Sequence, residues 1–170
     1  MTDPAIAFVG LGGNLGDAAA TVRAALRALD RLPATRLLRA SRSYRTPAWG
    51  MQQQPDFINA VAMLETGLEA RGLLDALLAI ERDFGRDRES GQRWGPRTLD
   101  LDLLLHGGRT IAEPGLHVPH PHLHERAFAL VPLLEIAPDT LIPGHGSARG
   151  ALAALEAPDI EPLDIDPLES

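Results

Sequence analysis

The sequence contains no cysteine and no lysine in its 170 residues. Without cysteine there are no disulfide bonds, thiolate zinc sites or cysteine nucleophiles, which fits a reducing compartment. A Walker A loop needs its lysine to reach the phosphates, so that way of binding a nucleotide is excluded too. All sixteen basic residues are arginines. Any phosphate site in this chain therefore has to use guanidinium groups.

Long apolar runs and an excess of positive charge are missing as well. No segment approaches the roughly 18 apolar residues of a membrane span, and no basic region leads into an apolar signal stretch. The net charge is −7, which argues against a broad nucleic-acid surface because phosphate backbones attract positive charge. We expect a cytoplasmic protein that binds neither membranes nor nucleic acids.

The apolar periodicity predicts one α+β domain over residues 1–155, followed by an acidic, proline-containing extension over 156–170. Predicted strands cover residues 5–9, 35–44, 57–65 and 100–105, and predicted helices cover 17–32, 71–84 and 124–136. Asp17 is a suitable N-cap for the first helix. The order βαββαβ is that of the split βαβ plan, an antiparallel sheet with helices packed on one face.

Two carboxylates share the last predicted strand. Because alternate side chains of a strand point to the same face, Asp100 and Asp102 lie roughly 6 to 7 Å apart at Cα, while Leu101 and Leu103 face the core. Such a pair suits a hard cation, whose other ligands are water and phosphate oxygens. The alternative is a strand with a solvated acidic face.

Four arginines precede this pair closely: Arg86, Arg88, Arg93 and Arg97. Guanidinium groups stay charged and match phosphate oxygens with forked donors, so they can neutralise charge that develops during phosphoryl transfer. The alternative is a surface cluster of ion pairs. Together with the carboxylates, the arginines predict a site for a polyphosphate and magnesium.

Glycines and histidines form two further motifs. Gly10-x-Gly12-x-x-x-Gly16 resembles a dinucleotide fingerprint, but no acidic ribose ligand follows it, so we expect a tight turn instead. The histidines of residues 117–124 could ligate a transition metal, but prolines interrupt their spacing. A contact between His120 and phosphate is the more economical interpretation.

Aromatic residues make up only 4% of the chain, and several lie near the polar motifs. Phe57, Phe128, Trp49 and Trp94 are each typical of a core, yet two of them flanking a slot would stack on a flat heterocycle. Asn59 shares a strand face with Phe57 and could read the edge of such a ligand. The Glu81 side chain either pairs on the surface with a residue one turn away in its helix or helps to line the site.

These motifs together resemble the 6-hydroxymethyl-7,8-dihydropterin pyrophosphokinase family over roughly Ile6 to Pro138. The segments that carry the resemblance are Gly12-Gly13-Asn14-Leu15, Tyr44-Arg45-Thr46-Pro47, Pro55-Asp56-Phe57-Ile58-Asn59-Ala60, Gly85-Arg86-x-Arg88, Arg93-Trp94-Gly95-Pro96-Arg97-Thr98-Leu99-Asp100-Leu101-Asp102 and Val118-Pro119-His120. The resemblance implies a ferredoxin-like fold and pyrophosphoryl transfer from ATP to a pterin alcohol in folate biosynthesis, with release of AMP.

The resemblance also implies a set of site residues. Asp100 and Asp102 would bind two magnesium ions and, with Arg86 and Arg97, form the catalytic group; Asp100 is also a hypothetical acceptor for the hydroxyl proton. The implied ATP-binding residues are Glu81, Arg88, Trp94, Arg97, His120 and Arg126. The implied pterin-binding residues are Thr46, Pro47, Trp49, Phe57, Asn59 and Phe128, with the two phenylalanines sandwiching the ring.

Two other classes of function remain open from the sequence: a non-catalytic module that binds nucleotide or pterin, and a magnesium-dependent phosphohydrolase. The four implied catalytic residues occur together, which favours the transferase over the binding module. The expected partners are ATP and the pterin alone, and the expected state is a monomer.

Overall fold

The structure is a computed structural model that describes residues 3–14, 16–46, 56–85, 98–155 and 160–163. Its strands are β1 (Ala5–Gly13), β2 (Thr35–Ala40), β3 (Tyr44–Thr46), β4 (Phe57–Thr66), β5 (Asp100–His106), β6 (Ile111–Glu113), β7 (Leu116–Val118), β8 (Leu141–Ile142), β9 (Gly146–Ser147) and β10 (Glu161–Pro162). Its α-helices are α1 (Ala18–Asp30), α2 (Ala70–Asp83), α3 (Ala127–Ile136) and α4 (Ala148–Ala153), and a 3₁₀ turn covers Leu123–Glu125.

Within these ranges, six strands form the central antiparallel sheet, in the order β10-β3-β4-β1-β5 with β2 also paired to β4. The helices α1 and α2 pack on one face of this sheet, as predicted. Leu26 of α1 and Leu77 of α2 are fully buried there against Val9 of β1. Asp17 caps α1, its side chain accepting a hydrogen bond from the Ala20 amide at 3.1 Å.

The helix α3 lies on the opposite face of the sheet, where Leu130 and Leu133 pack against Phe8, Val61 and Leu104. The prediction of helices on one face therefore holds for α1 and α2 only. The physical reason is that β1, β4 and β5 carry apolar side chains on both faces, and α3 is apolar around nearly its whole circumference. The sheet is thus covered on both faces.

The predicted strand over residues 35–44 is two strands, because a bulge separates β2 from β3. Ala40 pairs with Ala62 but Tyr44 pairs with Asn59, so β2–β3 contains one residue more than β4 over this stretch. Ser41 holds the irregular segment: its amide donates to the Val61 carbonyl and its Oγ accepts from the Val61 amide, both at 2.9 Å. After the bulge, Tyr44 shares a face with Asn59.

Residues near the C-terminal end of the described chain form the edge strand β10. Glu161 pairs with Arg45 and Pro162 with Tyr44, and the Leu163 amide donates to the Ser43 carbonyl at 2.8 Å. Among the helices that the structure describes, none is both long and apolar enough to cross a membrane.

Candidate active site

One row of paired residues runs straight across four strands of the sheet. Tyr44 of β3 pairs with Asn59 of β4, Asn59 with Gly12 of β1, and Gly12 with Asp100 of β5. Directly paired residues of antiparallel strands project to the same face. Neighbouring strands are about 4.8 Å apart, so Asn59 and Asp100 lie about 10 Å from each other. The row places an amide and a carboxylate on the face that also carries α3.

Gly12 forms the floor between these two side chains. A Cβ at this position would lie 2.8 Å from Asn59 Oδ1, so any other residue here would force the Asn59 side chain to move. At Gly10, by contrast, a Cβ would meet Leu104 at an ordinary 3.6 Å. The predicted tight turn is wrong for both residues because they lie inside β1; only Gly16 of that motif has a positive φ, 61°. The glycine motif does not indicate that Gly12 lies against the Asn59 side chain.

Asp100 and Asp102 lie on one face of β5, and Leu101 and Leu103 are buried on the other, as predicted. The Asp102 carboxylate is 44% exposed. His120 Nε2 lies 4.0 Å from its Oδ1, and Arg126 Nη1 lies 3.9 Å from its Oδ2. These separations exceed hydrogen-bond length, so His120 and Arg126 are electrostatic neighbours of Asp102.

His120 is anchored to the edge of β5 and is neutral at pH 7. Its backbone amide donates to the Leu104 carbonyl at 2.9 Å, and its Nδ1 accepts from the His122 amide at 3.1 Å. Burial lowers the pKa of His120 to about 4, and the positive charge of Arg126 acts in the same direction. With Nδ1 accepting, the neutral ring carries its proton on Nε2, the atom that faces Asp102.

Two of the other histidines of the cluster contact other side chains. His124 stacks on His145 with ring centroids 3.9 Å apart, and His122 Nδ1 lies 3.3 Å from Glu125 Oε2. Across the described ranges, no three His, Cys, Asp or Glu side chains are grouped as a metal site would need.

Glu81 of α2 is only 2% exposed, which excludes a surface pairing within its helix. Its Oε2 accepts a hydrogen bond from the Leu101 amide at 2.8 Å. Leu101 lies between the two aspartates on β5, which is an edge strand of the sheet. The structure therefore assigns Glu81 a contact that braces the strand carrying the carboxylate pair.

Three residues implied for the heterocycle meet at the start of β4. Asn59 Nδ2 donates to Thr46 Oγ1 at 3.0 Å, and both residues are buried. Phe57 pairs with Thr46 and is half-buried. Phe128, at the start of α3, is 37% exposed, and the guanidinium carbon of Arg126 lies 5.5 Å from its ring centre.

The remaining implied residues lie outside the described ranges, so their roles stay predictions. They are Pro47, Trp49, Arg86, Arg88, Trp94 and Arg97.

Known proteins resemble this chain over most of its length. A family model described as 7,8-dihydro-6-hydroxymethylpterin-pyrophosphokinase (HPPK) matches residues 8–138. The 2-amino-4-hydroxy-6-hydroxymethyldihydropteridine pyrophosphokinase of Methylorubrum extorquens is 44% identical over 158 residues, which cover 93% of this chain and 98% of that protein. The protein of the same name from Pseudomonas aeruginosa is 47% identical over 156 residues, covering 92% of this chain and 95% of that protein.

A solved structure shows the same fold at low sequence identity. A crystal structure of Plasmodium falciparum HPPK-DHPS matches 90% of this chain with a TM-score of 0.71 and 14% identity. This chain spans 46% of the length of that one. The match confirms the predicted ferredoxin-like α+β class.

Proposed function

The chain belongs to the 7,8-dihydro-6-hydroxymethylpterin-pyrophosphokinase family, and we infer from this membership that it transfers pyrophosphate from ATP to 6-hydroxymethyl-7,8-dihydropterin in folate biosynthesis. The observation that carries the assignment of roles is the row across the sheet, because Asn59 and Asp100 lie on one face with only Gly12 between them. A pterin hydrogen-bonded to Asn59 would then have its hydroxymethyl group near the carboxylate pair.

We propose the following course for the reaction. The hydroxymethyl oxygen forms a bond to the β-phosphorus of ATP. The bond between that phosphorus and the oxygen bridging to the α-phosphorus breaks, and AMP leaves with this oxygen. Asp100 is the proposed acceptor of the hydroxyl proton. No covalent intermediate with the protein is needed, so the protein's work is positioning and charge neutralisation.

Asp100 and Asp102 are the proposed holders of two magnesium ions. Their carboxylates fit a hard cation, because they lie on one face of a rigid strand and Asp102 is 44% exposed. When bound, magnesium would neutralise the ATP phosphates and polarise the phosphoryl group under attack. Glu81 would keep the two carboxylates in place through the Leu101 amide, 2.8 Å from its Oε2.

The charged residues around Asp102 fit the proposed ATP site. Neutral His120 would donate a hydrogen bond from Nε2 to a phosphate oxygen, and Arg126 would contribute a full positive charge. Family resemblance supports the further proposal that Arg86 and Arg97 act on the transferring group, and that Arg88 and Trp94 contact ATP.

The pterin would bind at the β3 end of the row, where Tyr44, Asn59 and Thr46 carry no charge; we call this the neutral end and the β5 end, with Asp100 and Asp102, the charged end. Asn59 Oδ1 faces the Gly12 floor and would accept a hydrogen bond from the ring edge, while Nδ2 keeps its bond to Thr46. Phe57 and Phe128 are the proposed stacking faces. Pro47 and Trp49 are proposed to complete this end through the resemblance alone.

We propose further that residues 1–155 form the catalytic domain and 156–170 its acidic extension. ATP and the pterin are the proposed small-molecule partners, and a monomer is the proposed state because one chain supplies every implied residue. Sedimentation at assay concentration tests the monomer. The cytoplasm is the proposed location, since ATP is available there.

The deciding experiment incubates the purified protein with ATP and magnesium, with and without 6-hydroxymethyl-7,8-dihydropterin, and quantifies AMP and ADP. We expect AMP and pyrophosphorylated pterin in equal amounts, and only when the pterin is present. Formation of ADP would indicate γ-transfer or hydrolysis instead. Absence of any turnover would favour a binding module.

A further inference from the structure

One part-buried hydrogen bond joins β3 to α3 on the face of the sheet that carries the proposed site. Tyr44 is 4% exposed, and its hydroxyl donates to the Glu135 carboxylate. The second carboxylate oxygen accepts from the Arg42 amide at 3.0 Å. Burial, and then the hydrogen bond to Glu135, raise the pKa of Tyr44 to about 12, so the hydroxyl remains a donor at neutral pH.

The two elements that this bond joins carry opposite sides of the proposed pterin site. On β3, Thr46 follows Tyr44 by two residues and shares its face, and Asn59 pairs with Tyr44 while donating to Thr46. On α3, Phe128 precedes Glu135 by seven residues, which is close to two helical turns. Phe128 and Glu135 therefore lie on the same side of α3.

The helix α3 is tied to the sheet by hydrogen bonds at its C-terminal end. Arg39 Nη1 donates to the Ile136 carbonyl at 3.0 Å, next to the contacts of Glu135. Pro132, inside the helix, has no N–H to donate to the Phe128 carbonyl. Phe128 and Glu135 belong to the same helix, so the contacts at its C-terminal end contribute to where Phe128 lies relative to the sheet.

We infer that Tyr44 and Glu135 are positioning residues that set the separation between the Thr46–Asn59 pair and Phe128, and hence the fit of the pterin between them. The inference rests on the proposed function. It assigns neither residue a contact with the substrate. A hydrogen bond that only stabilises the fold would affect the melting temperature without distinguishing between the two substrates.

The test is the variant Tyr44→Phe, which removes the hydroxyl and keeps the ring. We expect KM for the pterin to rise about five- to tenfold, with KM for ATP changed less than about twofold. The matched control is Thr35→Val, which removes a hydroxyl that lies 2.8 Å from Thr66 Oγ1 at the far end of β4. The control should leave both KM values at those of the unmodified protein.

A double variant shows whether the two residues act through one bond. Tyr44→Phe combined with Glu135→Leu should raise KM for the pterin no more than the larger single change does. The inference would be overturned if the rise in pterin KM in the double variant equalled the product of the two single rises. It would also be overturned if Tyr44→Phe changed the KM values for pterin and ATP equally, or left the pterin KM unchanged. Failure of the proposed function is distinguishable, because the unmodified protein would then form no pterin-dependent AMP.

Discussion

The two ends of the row across the sheet are built differently. At the β5 end, Asp102 is partly exposed, and His120 and Arg126 stay 3.9 to 4.0 Å from it. At the β3 end, Thr46 and Asn59 are buried and joined by a hydrogen bond of 3.0 Å. The charged end is open to solvent, as binding of a metal and phosphates would require, whereas the side chains of the neutral end are buried and hydrogen-bonded to each other, as recognition of a rigid ring would require.

The largest effect is expected at the charged end. Asp100→Asn keeps the size of the side chain and removes its charge, so turnover should fall about 10²- to 10³-fold because charge stabilisation at the phosphoryl group is lost. Magnesium-dependent nucleotide binding should persist through Asp102. Steady-state AMP formation and nucleotide titration measure the two quantities.

The control for this variant is Asp139→Asn. The Asp139 side chain is 96% exposed, so replacing its carboxylate by an amide should leave turnover unchanged. Normal turnover in Asp100→Asn would remove Asp100 from the proposed catalytic group.

The neutral end is tested by Gly12→Ala. The added methyl would lie 2.8 Å from Asn59 Oδ1 and force the amide to move, so KM for the pterin should rise about 10- to 100-fold with a smaller change for ATP. Gly10→Ala on the same strand is the control, because its methyl meets Leu104 at 3.6 Å. An equal change in the pterin KM of the two variants would show that the Asn59 amide does not hydrogen-bond to the pterin.

Glu81 lies behind the charged end of the row, where it contacts the backbone of β5. Glu81→Leu leaves the Leu101 amide without its 2.8 Å acceptor and should lower the free energy of unfolding by about 1 to 3 kcal/mol. Glu81→Gln keeps an oxygen acceptor and should retain most of that stability, as urea unfolding would show. If Glu81 instead contacts ATP directly, Glu81→Gln would raise KM for ATP while leaving stability intact.

Local patterns were sufficient to predict the frame of the fold. Asp17 as a cap, the alternation around Asp100 and Asp102, and the order βαββαβ all follow from periods of 2 and 3.6 residues and from capping chemistry. These signals are contained in a few neighbouring residues. The structure agrees with the cap, the alternation and the order, except that the second predicted strand is divided into β2 and β3.

Contacts between distant segments could not be predicted in this way. The bulge at Ser41 depends on Val61, and the close approach at Gly12 depends on where the Asn59 side chain points. Glu135 did offer a signal, since it is the one charged residue of the otherwise apolar α3. Its partner Tyr44 lies 91 residues away, and only the packing of α3 on the sheet brings them together.

The smallest expected effect is the pH dependence that His120 contributes. Its folded pKa of about 4 is below the ordinary 6.5, so between these values the unfolded chain binds more protons at this site than the folded one. The contribution to stability is therefore complete above about pH 6.5 and is lost as the pH falls towards 4. His120→Asn retains an acceptor for the His122 amide, and its melting temperature should decline less than that of the unmodified protein between pH 7 and 4. An NMR titration that gave His120 a midpoint near 6.5 would contradict this, and it would mean that the imidazole meets phosphate as a partly charged group.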